Sequence, residues 1–482
     1  MHMNRRTFLT TAVGAAGAAS ALAQSKPLNF VFILADDLGW TDLACFGSKF
    51  YETPNIDKLA AQGVKFTNAY AACPVCSPTR ASIMTGKYPA RLGITNYLPG
   101  KHPTPYSKLI AEDCVQQLPH EEVTIAEALK AKGYVSGQFG KWHLGGKGFK
   151  PDSQGFDFVF SPERAAGNYF YPGWKTGPDG QIFEGKPGEY ITDRLGEEVA
   201  GFIERNKDKP FFAYVPHFAP HVPLEAKKAY IEKFSAKIVS GARHNDPIYA
   251  AMIQSLDDAV GKVVKAIEDN GLADRTVILF TSDNGGLSAP EWKLKPTTSN
   301  WPLREGKGHV YEGGVRVPLI VKGPGVRAGV VDETPVISVD HFPTLVELAG
   351  VSAGLPKVDG QSYAPVLRAK TAPKLRPLFW HYPHYSNQLG RPASAVRLGD
   401  WKLIRFHEDN HVELYNLKSD VGEQYDLASA QAARAKDLNG TLEAWLKEVK
   451  AKFPQPNPKY DPVRELEGYW WKEPGAYERF GK

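Results

Sequence analysis

Two pairs of oxygen-bearing side chains are the first groups in this sequence that could do chemistry. Asp36-Asp37 and Asp283-Asn284 each place a carboxylate beside a second oxygen donor. Such a pair is either part of an exposed turn or a ligand for a hard cation, and the residues alone leave both interpretations open. Because neither pair contains cysteine or histidine, a cation bound there would be Ca²⁺, or less suitably Mg²⁺, and not zinc.

Cysteines are the next reactive group. The chain has 482 residues and only four cysteines, including Cys45 and Cys114, which is too few for a disulfide scaffold. Cys73 and Cys76 are spaced C-x-x-C, which in isolation indicates a redox pair. The simplest structural interpretation of Cys76 is a buried cysteine at the start of a helix.

Apolar segments directly before the two oxygen-bearing pairs predict the strands that position them. Residues 28–34 precede Asp36-Asp37, and residues 276–280 precede Asp283-Asn284. Uninterrupted apolar runs of this length are typical of parallel strands buried on both faces. In sheets of such strands, sites lie beyond the carboxyl ends, and both pairs fall at these ends.

Strand and helix patterns alternate from about residue 28 to residue 350. This alternation predicts an α/β fold with a large, mainly parallel sheet covered by helices on both faces. Further predicted strands are 134–139, 211–215 and 317–321. Predicted helices begin at Thr53-Pro54 and Asp246-Pro247 or span 124–132, 189–204 and 339–348.

The pattern changes after a proline-rich stretch around Pro373 and Pro377. Short strands followed by one helix predict a small antiparallel α+β subdomain, with a tail that wraps the surface. The strands are 378–382, 395–398, 402–406 and 412–415, and the helix is 430–449. The predicted division of the chain is therefore a leader at 1–23, a main domain at 24–372 and a C-terminal subdomain at 373–482.

The N-terminus has the features of an export signal rather than of an N-terminal core helix. Arg5 and Arg6 form a twin arginine, a small-residue apolar run follows at 12–21, and Ala21-Leu22-Ala23 supplies a cleavage pattern. The mature chain is expected to begin near Gln24 and to be periplasmic or secreted in a bacterium.

Charge and hydropathy exclude two further classes of protein. The formal net charge is +5, and loss of the leader leaves about +3, which is too small to indicate nucleic-acid binding. No later segment approaches the roughly 20 consecutive apolar residues that a membrane span needs.

The most specific motif begins at Cys76. Cys76-Ser77-Pro78-Thr79-Arg80 continues to Thr85-Gly86 and fills every specified position of C-x-P-(S/T)-R-x-x-x-x-T-G. Further blocks are Gly140-Lys141-Trp142-His143, His221-Val222-Pro223, Gly306-Lys307-Gly308 and Tyr311-Glu312-Gly313-Gly314-Val315-Arg316. Together these blocks resemble the type I, formylglycine-dependent sulfatase family of the alkaline phosphatase superfamily, over residues 28 to about 360.

The resemblance implies a modified nucleophile at Cys76. In the family a formylglycine-generating enzyme oxidises this cysteine, and the aldehyde hydrate supplies one hydroxyl to attack sulfur and a second to expel the sulfate. The other catalytic residues that the resemblance implies are Arg80, Lys141, His143, His221 and Lys307. The implied calcium ligands are Asp36, Asp37, Asp283, Asn284 and the oxygen formed at Cys76.

The substrate is expected to be a sulfated carbohydrate, with a galactose or N-acetylgalactosamine type of sugar as the candidate. Residues 381–388 are rich in rings and amides that suit sugar hydroxyls, although they could equally pack between subdomains. Candidate substrate contacts are His309, Arg316, His381, His384 and Asn387.

Two other functions remain open at the level of the sequence. One is a formylglycine-dependent phosphonate or phosphodiester hydrolase of the same superfamily. The other is a catalytically silent carbohydrate-binding protein on the same fold, although a binding protein has no need of Cys76.

Overall fold

A computed structural model describes residues 26–100, 104–162, 168–177, 180–291, 295–369, 374–467 and 469. The predicted leader at 1–23 lies outside these ranges, as does the predicted domain boundary at 372/373. Within these ranges, no helix combines the length and apolar character that crossing a bilayer requires.

The first ten strands, with one exception, belong to one nine-stranded sheet in the order β10-β2-β8-β7-β1-β6-β4-β5, with β9 paired to β2. The strands are β1 Asn29–Ala35, β2 Val64–Tyr70, β3 Leu109–Ile110, β4 Val135–Phe139, β5 Phe158–Phe160, β6 Phe211–Pro216, β7 Thr276–Ser282, β8 Arg316–Lys322, β9 Val330–Asp332 and β10 Val336–Ile337. The exception is β3, which pairs elsewhere.

Helices of the main part of the chain cover both faces of this sheet. They are α1 Pro54–Ala61, α2 Cys76–Thr85, α3 Pro89–Leu92, α4 Ile125–Lys130, α5 Ile191–Arg205, α6 Lys228–Ser235, α7 Pro247–Asp269, α8 Glu312–Val315, α9 His341–Leu348 and α10 Ala364–Leu367.

The prediction of a mainly parallel sheet is confirmed, with one antiparallel strand. Neighbours β7, β1, β6, β4 and β5 are all parallel, whereas β8 runs antiparallel to both β7 and β2. The apolar run at 317–321 was predicted as a strand, but its direction has no local signature. Strand β2 was not predicted, because Lys65, Thr67 and Asn68 interrupt its apolar character.

The packing of strand β1 explains why its apolar residues do not alternate with polar ones. Val31, Ile33 and Ala35 pack into a core with α5 and α7, while Phe30, Phe32 and Leu34 pack into a second core with α2, α4 and α9. Both faces of the strand are therefore buried, as is usual where helices cover a parallel sheet on each side.

Two helix starts follow their sequence signals closely. Thr124 accepts a hydrogen bond from the backbone N–H of Glu127, and the Glu127 side chain accepts one in return, which forms a capping box. Asp246 accepts from the N–H groups of Ile248 and Tyr249 ahead of Pro247. The caps satisfy backbone N–H groups that would otherwise lack a partner at the start of each helix.

The C-terminal part forms the predicted antiparallel subdomain. Its sheet has the order β11-β12-β13-β14 and packs with helix α11 in a third core. The elements are β11 Leu378–Tyr382, β12 Ala393–Leu398, β13 Trp401–Phe406, β14 Val412–Asn416 and α11 Ala432–Glu448. After α11 the tail contributes β15 Gln455–Pro456, which pairs antiparallel with β3 and so returns the chain to the main part.

A fully buried ion cluster fastens the small sheet to the main part. Lys402 on β13 lies 2.9 Å from Glu312 of α8 and 2.9 Å from Glu423. Glu423 also accepts a hydrogen bond from the Glu312 backbone N–H at 2.6 Å. Because α8 follows the segment that carries Lys307, the small sheet helps to fix that segment.

Candidate active site

The polar residues predicted at strand ends meet at one edge of the sheet. Strands β7, β1, β6 and β4 are consecutive neighbours, and each is followed by at least one of the predicted residues. These are Asp283 and Asn284 after β7, Asp36 and Asp37 after β1, His221 after β6, and Lys141 and His143 after β4. The two acidic pairs are completely buried or nearly so.

Cys76 is the first residue of α2 and faces a histidine. Its Sγ atom lies 3.3 Å from Nδ1 of His143, and Nε2 of His143 lies 2.6 Å from the carbonyl oxygen of Leu98. A carbonyl only accepts, so Nε2 carries the proton and Nδ1 is free to accept one from Cys76. Burial, reinforced by the charge of Lys141, lowers the pKa of His143 to about 3, so the ring is neutral.

The second cysteine does not form a redox pair in this structure. Cys73 and Cys76 are both free thiols. Burial raises the pKa of the Cys73 thiol above its ordinary value, which disfavours the reactive thiolate. The structure therefore favours a role for Cys76 that does not involve Cys73.

Arg80, one turn further along α2, joins the two acidic strand ends. Its Nε and Nη2 atoms donate to Oδ2 of Asp283 at 2.9 and 2.7 Å, and Nη1 donates to the carbonyl oxygen of Lys141 at 2.9 Å. The other oxygen of Asp283 accepts from the backbone N–H of Asp37 at 3.1 Å. The rigid guanidinium therefore sets the distance between α2, β4 and β7.

Two lysines neutralise the carboxylates that follow β1. Lys141 Nζ lies 2.8 Å from Asp36 Oδ2, and Lys307 Nζ lies 2.8 Å from Asp37 Oδ2. Burial alone would raise the pKa of both carboxyl groups. The positive groups around them together outweigh burial and hold each pKa below its usual value, with Lys141 the strongest at Asp36 and Lys307 the strongest at Asp37. Both groups are therefore ionised.

Asp283 behaves differently from its neighbours. Burial and the negative charge of Asp36 raise its pKa well above the usual value, although Arg80 acts in the opposite direction. Both oxygens of this carboxyl accept hydrogen bonds, Oδ2 from Arg80 and Oδ1 from the Asp37 N–H, so the geometry is that of an acceptor.

His221 is the last of the predicted catalytic residues, and it lies next to Lys307 and Asp37. Its Nε2 atom lies 3.2 Å from Lys307 Nζ and 3.5 Å from Asp37 Oδ2, while Nδ1 lies 2.5 Å from the carbonyl oxygen of Val222. Burial, with the charge of Lys307, lowers the pKa of His221 to about 3. A carbonyl only accepts, so Nδ1 carries the proton of this neutral ring and Nε2 accepts from the Lys307 ammonium. The Lys307 ammonium is thus the donor in this pair that is suited to a tetrahedral anion.

Oxygen atoms of the acidic pairs meet the requirements of a hard-cation site. Oδ1 of Asp36 and Oδ1 of Asn284 are buried without a hydrogen-bond partner. Ligand atoms of Asp36, Asp37 and His221 lie within 4.8 Å of one another. Oδ1 of Asp36 still pairs with Arg80 Nη2 at 3.5 Å, so the Asn284 oxygen is the less satisfied of the two. A buried oxygen without a donor is costly unless a cation satisfies it, and the oxygens of the two pairs fit calcium.

Three supporting residues had no recognisable signal in the sequence. Glu291 is buried with its carboxylate 3.5 Å from Lys307 Nζ. The Tyr249 hydroxyl donates to Asp42 at 2.7 Å and lies 3.2 Å from the carbonyl oxygen of Asp37, and Asp42 in turn accepts from Gly39 N–H. These contacts hold Asp37 at a φ of 65°, a strained value for aspartate.

Three of the five candidate substrate residues lie on segments next to the nucleophile. His384 Nε2 is 2.9 Å from Thr95 Oγ1, Asn387 Nδ2 is 3.1 Å from the Tyr97 hydroxyl, and His309 Nε2 is 2.8 Å from the Gln388 carbonyl. The 95–97 segment leads directly to Leu98, which holds His143. Their contact with substrate stays a prediction.

The other two candidates are engaged elsewhere. Arg316 donates to the Thr67 carbonyl and to Asn68, and it pairs with Glu312. His381 is buried between Ser394 Oγ at 2.7 Å and the Lys452 carbonyl at 2.9 Å. The structure does not bring these two side chains to the catalytic cluster, because each is occupied in packing that joins secondary-structure elements.

With this geometry established, comparison with known proteins identifies the family. A family model described as Sulfatase matches residues 28–351. The chain belongs to the sulfatase family. A second model, described as N-sulphoglucosamine sulphohydrolase, C-terminal, matches residues 305–452 of this sulfatase.

Individual relatives agree with the family assignment. A protein named Sulfatase from Formosa agariphila is 36% identical over 88% of this sulfatase and 89% of its own length. Human N-acetylgalactosamine-6-sulfatase is 35% identical over 74% of this chain and 67% of its own. The crystal structure of Ps i-CgsB in complex with k-i-k-neocarrahexaose is 31% identical, with a TM-score of 0.74, and covers 95% of this chain and 100% of that one. The sulfatase is therefore a sulfuric ester hydrolase with the alkaline-phosphatase-like architecture.

Proposed function

We propose that this sulfatase hydrolyses sulfate esters of a carbohydrate through a formylglycine made from Cys76. The observation that carries the proposal is the position of Cys76, 3.3 Å from a neutral His143 and on the same helix as Arg80, which binds Asp283. A cysteine in this setting is placed for proton exchange and is surrounded by fixed charges.

Maturation by a formylglycine-generating enzyme is part of the proposal. The hydrated aldehyde supplies one hydroxyl for attack on sulfur and a second whose deprotonation releases sulfate. Around it, Arg80 and Lys141 hold the nucleophile, and Asp283 accepts its proton. His143, whose Nδ1 faces residue 76, takes the later proton that releases the sulfate.

Lys307 and His221 are proposed to bind the sulfate group. Lys307 donates to the sulfate directly, and His221 Nε2, 3.2 Å from Lys307 Nζ, can donate to it once it has taken a proton from that ammonium. His221 then passes a proton to the departing alcohol, with the adjacent Lys307 ammonium as the nearest proton source. Charge that builds on the leaving oxygen is thus met by preorganised donors in a largely buried site.

A calcium ion is the proposed cofactor, held by Asp36, Asp37, Asp283, Asn284 and the oxygen of modified residue 76. The support is the oxygen donor set of the two pairs, in which Asn284 Oδ1 is buried without a hydrogen-bond partner and Asp36 Oδ1 is held by an ion pair with Arg80 at 3.5 Å. When bound, calcium supplies positive charge that polarises the nucleophile and neutralises a sulfate oxygen.

The proposed substrate is a sulfated glycan, with a galactose or N-acetylgalactosamine type of sugar. One relative is named for N-acetylgalactosamine-6-sulfate chemistry, and one similar structure holds a neocarrahexaose. His309, His384 and Asn387, whose segments contact residues that flank Cys76, are the candidate sugar contacts. The twin-arginine leader supports export of the enzyme to the periplasm or the medium, where the enzyme would meet such glycans.

The proposal is tested by mass spectrometry and by substrate comparison. After co-expression with a formylglycine-generating enzyme, the peptide containing Cys76 should lose about 18 Da. The modified enzyme should hydrolyse an aryl sulfate and members of a panel of sulfated mono- and disaccharides, and should prefer the aryl sulfate to an aryl phosphodiester. Preference for the phosphodiester would reject the sulfatase mechanism in favour of the phosphonate or phosphodiester alternative.

A further inference from the structure

An aromatic cavity of about 470 Å³ lies beside the loop that follows β1. Its walls include the rings of Trp40, Phe46, Phe50 and Trp301. A cavity of this size accommodates one or two sugar rings. Among the residues that line it there is none of the proposed catalytic or calcium-binding set, so it is separate from the cluster around Cys76.

Trp301 gives this cavity an exposed face. Its side chain is 54% exposed, and the guanidinium of Arg243 lies 3.7 Å from the centre of its ring. A single exposed ring is ordinary, but a ring that adjoins further exposed apolar surface marks a binding surface. The adjoining Val239 is 66% exposed, so the apolar surface continues beyond the ring.

The charges at this cavity are mostly positive. Lys49, Lys237 and Arg243 line it, and Glu52 is the single acidic residue among the described lining residues. Glu52 is already paired with Lys237 and, at 2.6 Å, with Lys233 outside the cavity. Lys49 and Arg243 therefore leave an excess of positive charge beside the aromatic rings.

We propose that this cavity is a second binding site for a sulfated glycan, distinct from the site of hydrolysis. A pyranose ring would stack on Trp301, and its sulfate would pair with Arg243 and Lys49. The inference rests on the proposed function only for the class of ligand, a sulfated polysaccharide. Its consequence is that the enzyme holds a polymer at two points, which raises the local concentration of sulfate esters at the nucleophile.

The test measures polysaccharide affinity in a chain that cannot turn over its ligand. Cys76→Ala protein is compared with Cys76→Ala/Trp301→Ala and Cys76→Ala/Arg243→Ala by affinity gel electrophoresis in carrageenan or chondroitin sulfate, with unsulfated agarose as the reference polymer. Each second substitution should weaken binding to the sulfated polymers by about 10-fold and leave migration in agarose unchanged. Tyr425→Ala serves as a matched control, because Tyr425 is 71% exposed and lies on a turn of the C-terminal subdomain.

Active enzyme separates this inference from the proposed function. Trp301→Ala and Arg243→Ala with intact Cys76 should hydrolyse a small aryl sulfate at the normal kcat/KM, while turnover of the polymer falls. Unchanged polymer affinity in both variants would overturn the second site. Polymer binding that is kept in both variants but lost in a Lys307→Ala variant would place all of the binding at the site of hydrolysis, and would overturn it as well. If Trp301→Ala instead changes the molar mass by light scattering without changing glycan affinity, the face joins two copies of the chain and the inference is wrong. Loss of the aryl sulfatase mechanism itself would appear separately, in the mass and turnover assays of Cys76.

Discussion

Arg80 shows why a particular residue type is required at the site. The side chain is fully buried and donates from three nitrogens to Asp283 and the Lys141 carbonyl, and its Nη2 atom also pairs with Asp36 at 3.5 Å. A lysine has a single nitrogen and cannot reproduce this planar set of donors. The charge would survive an Arg80→Lys substitution, but the geometry between α2 and the strand ends would not.

We therefore expect Arg80→Lys to lower kcat/KM for an aryl sulfate by at least about 100-fold, since a misplaced electrostatic donor costs that much in comparable sites. The far-UV circular dichroism spectrum should stay unchanged, which separates catalysis from folding. Arg91→Lys is the matched control, because Arg91 on α3 also holds a carboxylate, Asp359, through two nitrogens. Similar losses in both variants would contradict a specific role for Arg80.

Tyr249 acts on the proposed calcium site from a distance. Its hydroxyl reaches both Asp42 and the backbone of Asp37. Without this hydroxyl, the strained loop that presents the Asp37 carboxylate loses a support.

Tyr249→Phe should weaken calcium affinity by about 10-fold or more, as measured by titration calorimetry on metal-free protein. Tyr230→Phe, which removes a hydroxyl bonded to Asp258 on α7, should leave that affinity unchanged. Equal affinity in the Tyr249 variant and the parent would show that the loop is held without it.

At the scale of elements, the C-terminal subdomain carries one buried and one half-buried histidine that make it sensitive to acid. Ser394 on β12 lies between His381 Nδ1 at 2.7 Å and His407 Nε2 at 2.9 Å. Burial lowers the pKa of His381 to about 4, and burial together with His381 lowers the pKa of His407 to about 3. Both rings are thus neutral in the folded subdomain.

The sign of the pH effect follows from these depressed values. An unfolded histidine takes up a proton near pH 6.5, whereas the folded rings resist it, so the free energy of unfolding falls as the pH drops from about 6.5 to 4. Each ring accounts for roughly 2–3 kcal/mol of this loss at pH 4.

His381→Gln should therefore flatten the acid dependence of stability, measured by denaturant unfolding between pH 7 and pH 4. His120→Gln, at an exposed histidine, provides the comparison. If both variants keep the full slope of the parent protein, these two histidines are not its cause.

At the scale of the whole molecule, calcium would join strand ends that are distant in sequence. Asp37 and Asn284 are 247 residues apart, yet Asn284 Nδ2 donates to Asp37 Oδ1 at 2.8 Å. A cation that binds these groups only in the folded state stabilises the fold by mass action.

Chelation should therefore abolish hydrolysis and lower Tm. A calcium concentration about 100 times its Kd contributes about 2.7 kcal/mol, and this shifts Tm by a few degrees. Differential scanning calorimetry with and without calcium measures the shift, and an Asp36→Ala variant should lose it. An identical Tm under both conditions, with metal analysis showing an empty protein, would contradict the site.

Much of this architecture was present in local sequence patterns. The apolar run of β1, the capping residues of α4 and α7, and the four strands of the small sheet were predicted within a few residues. The Cys76 motif and the further blocks predicted the family, and the apolar runs before Asp36 and Asp283 predicted that these residues lie at strand ends. These features are local, because burial periodicity, caps and motifs depend on residues that are near neighbours in the chain.

Tertiary structure alone decided how these residues are paired and which way they face. Lys141 pairs with Asp36, Lys307 pairs with Asp37, and the Tyr249 hydroxyl contacts the Asp37 backbone. Strand β8 runs antiparallel to β7. None of these features has a local signature in the sequence. Arg316 was expected near the substrate, but it turns toward Glu312 and Thr67. Such contacts join residues up to about 270 positions apart. These contacts are determined by how whole elements pack. The local sequence pattern around a residue therefore does not predict its partner.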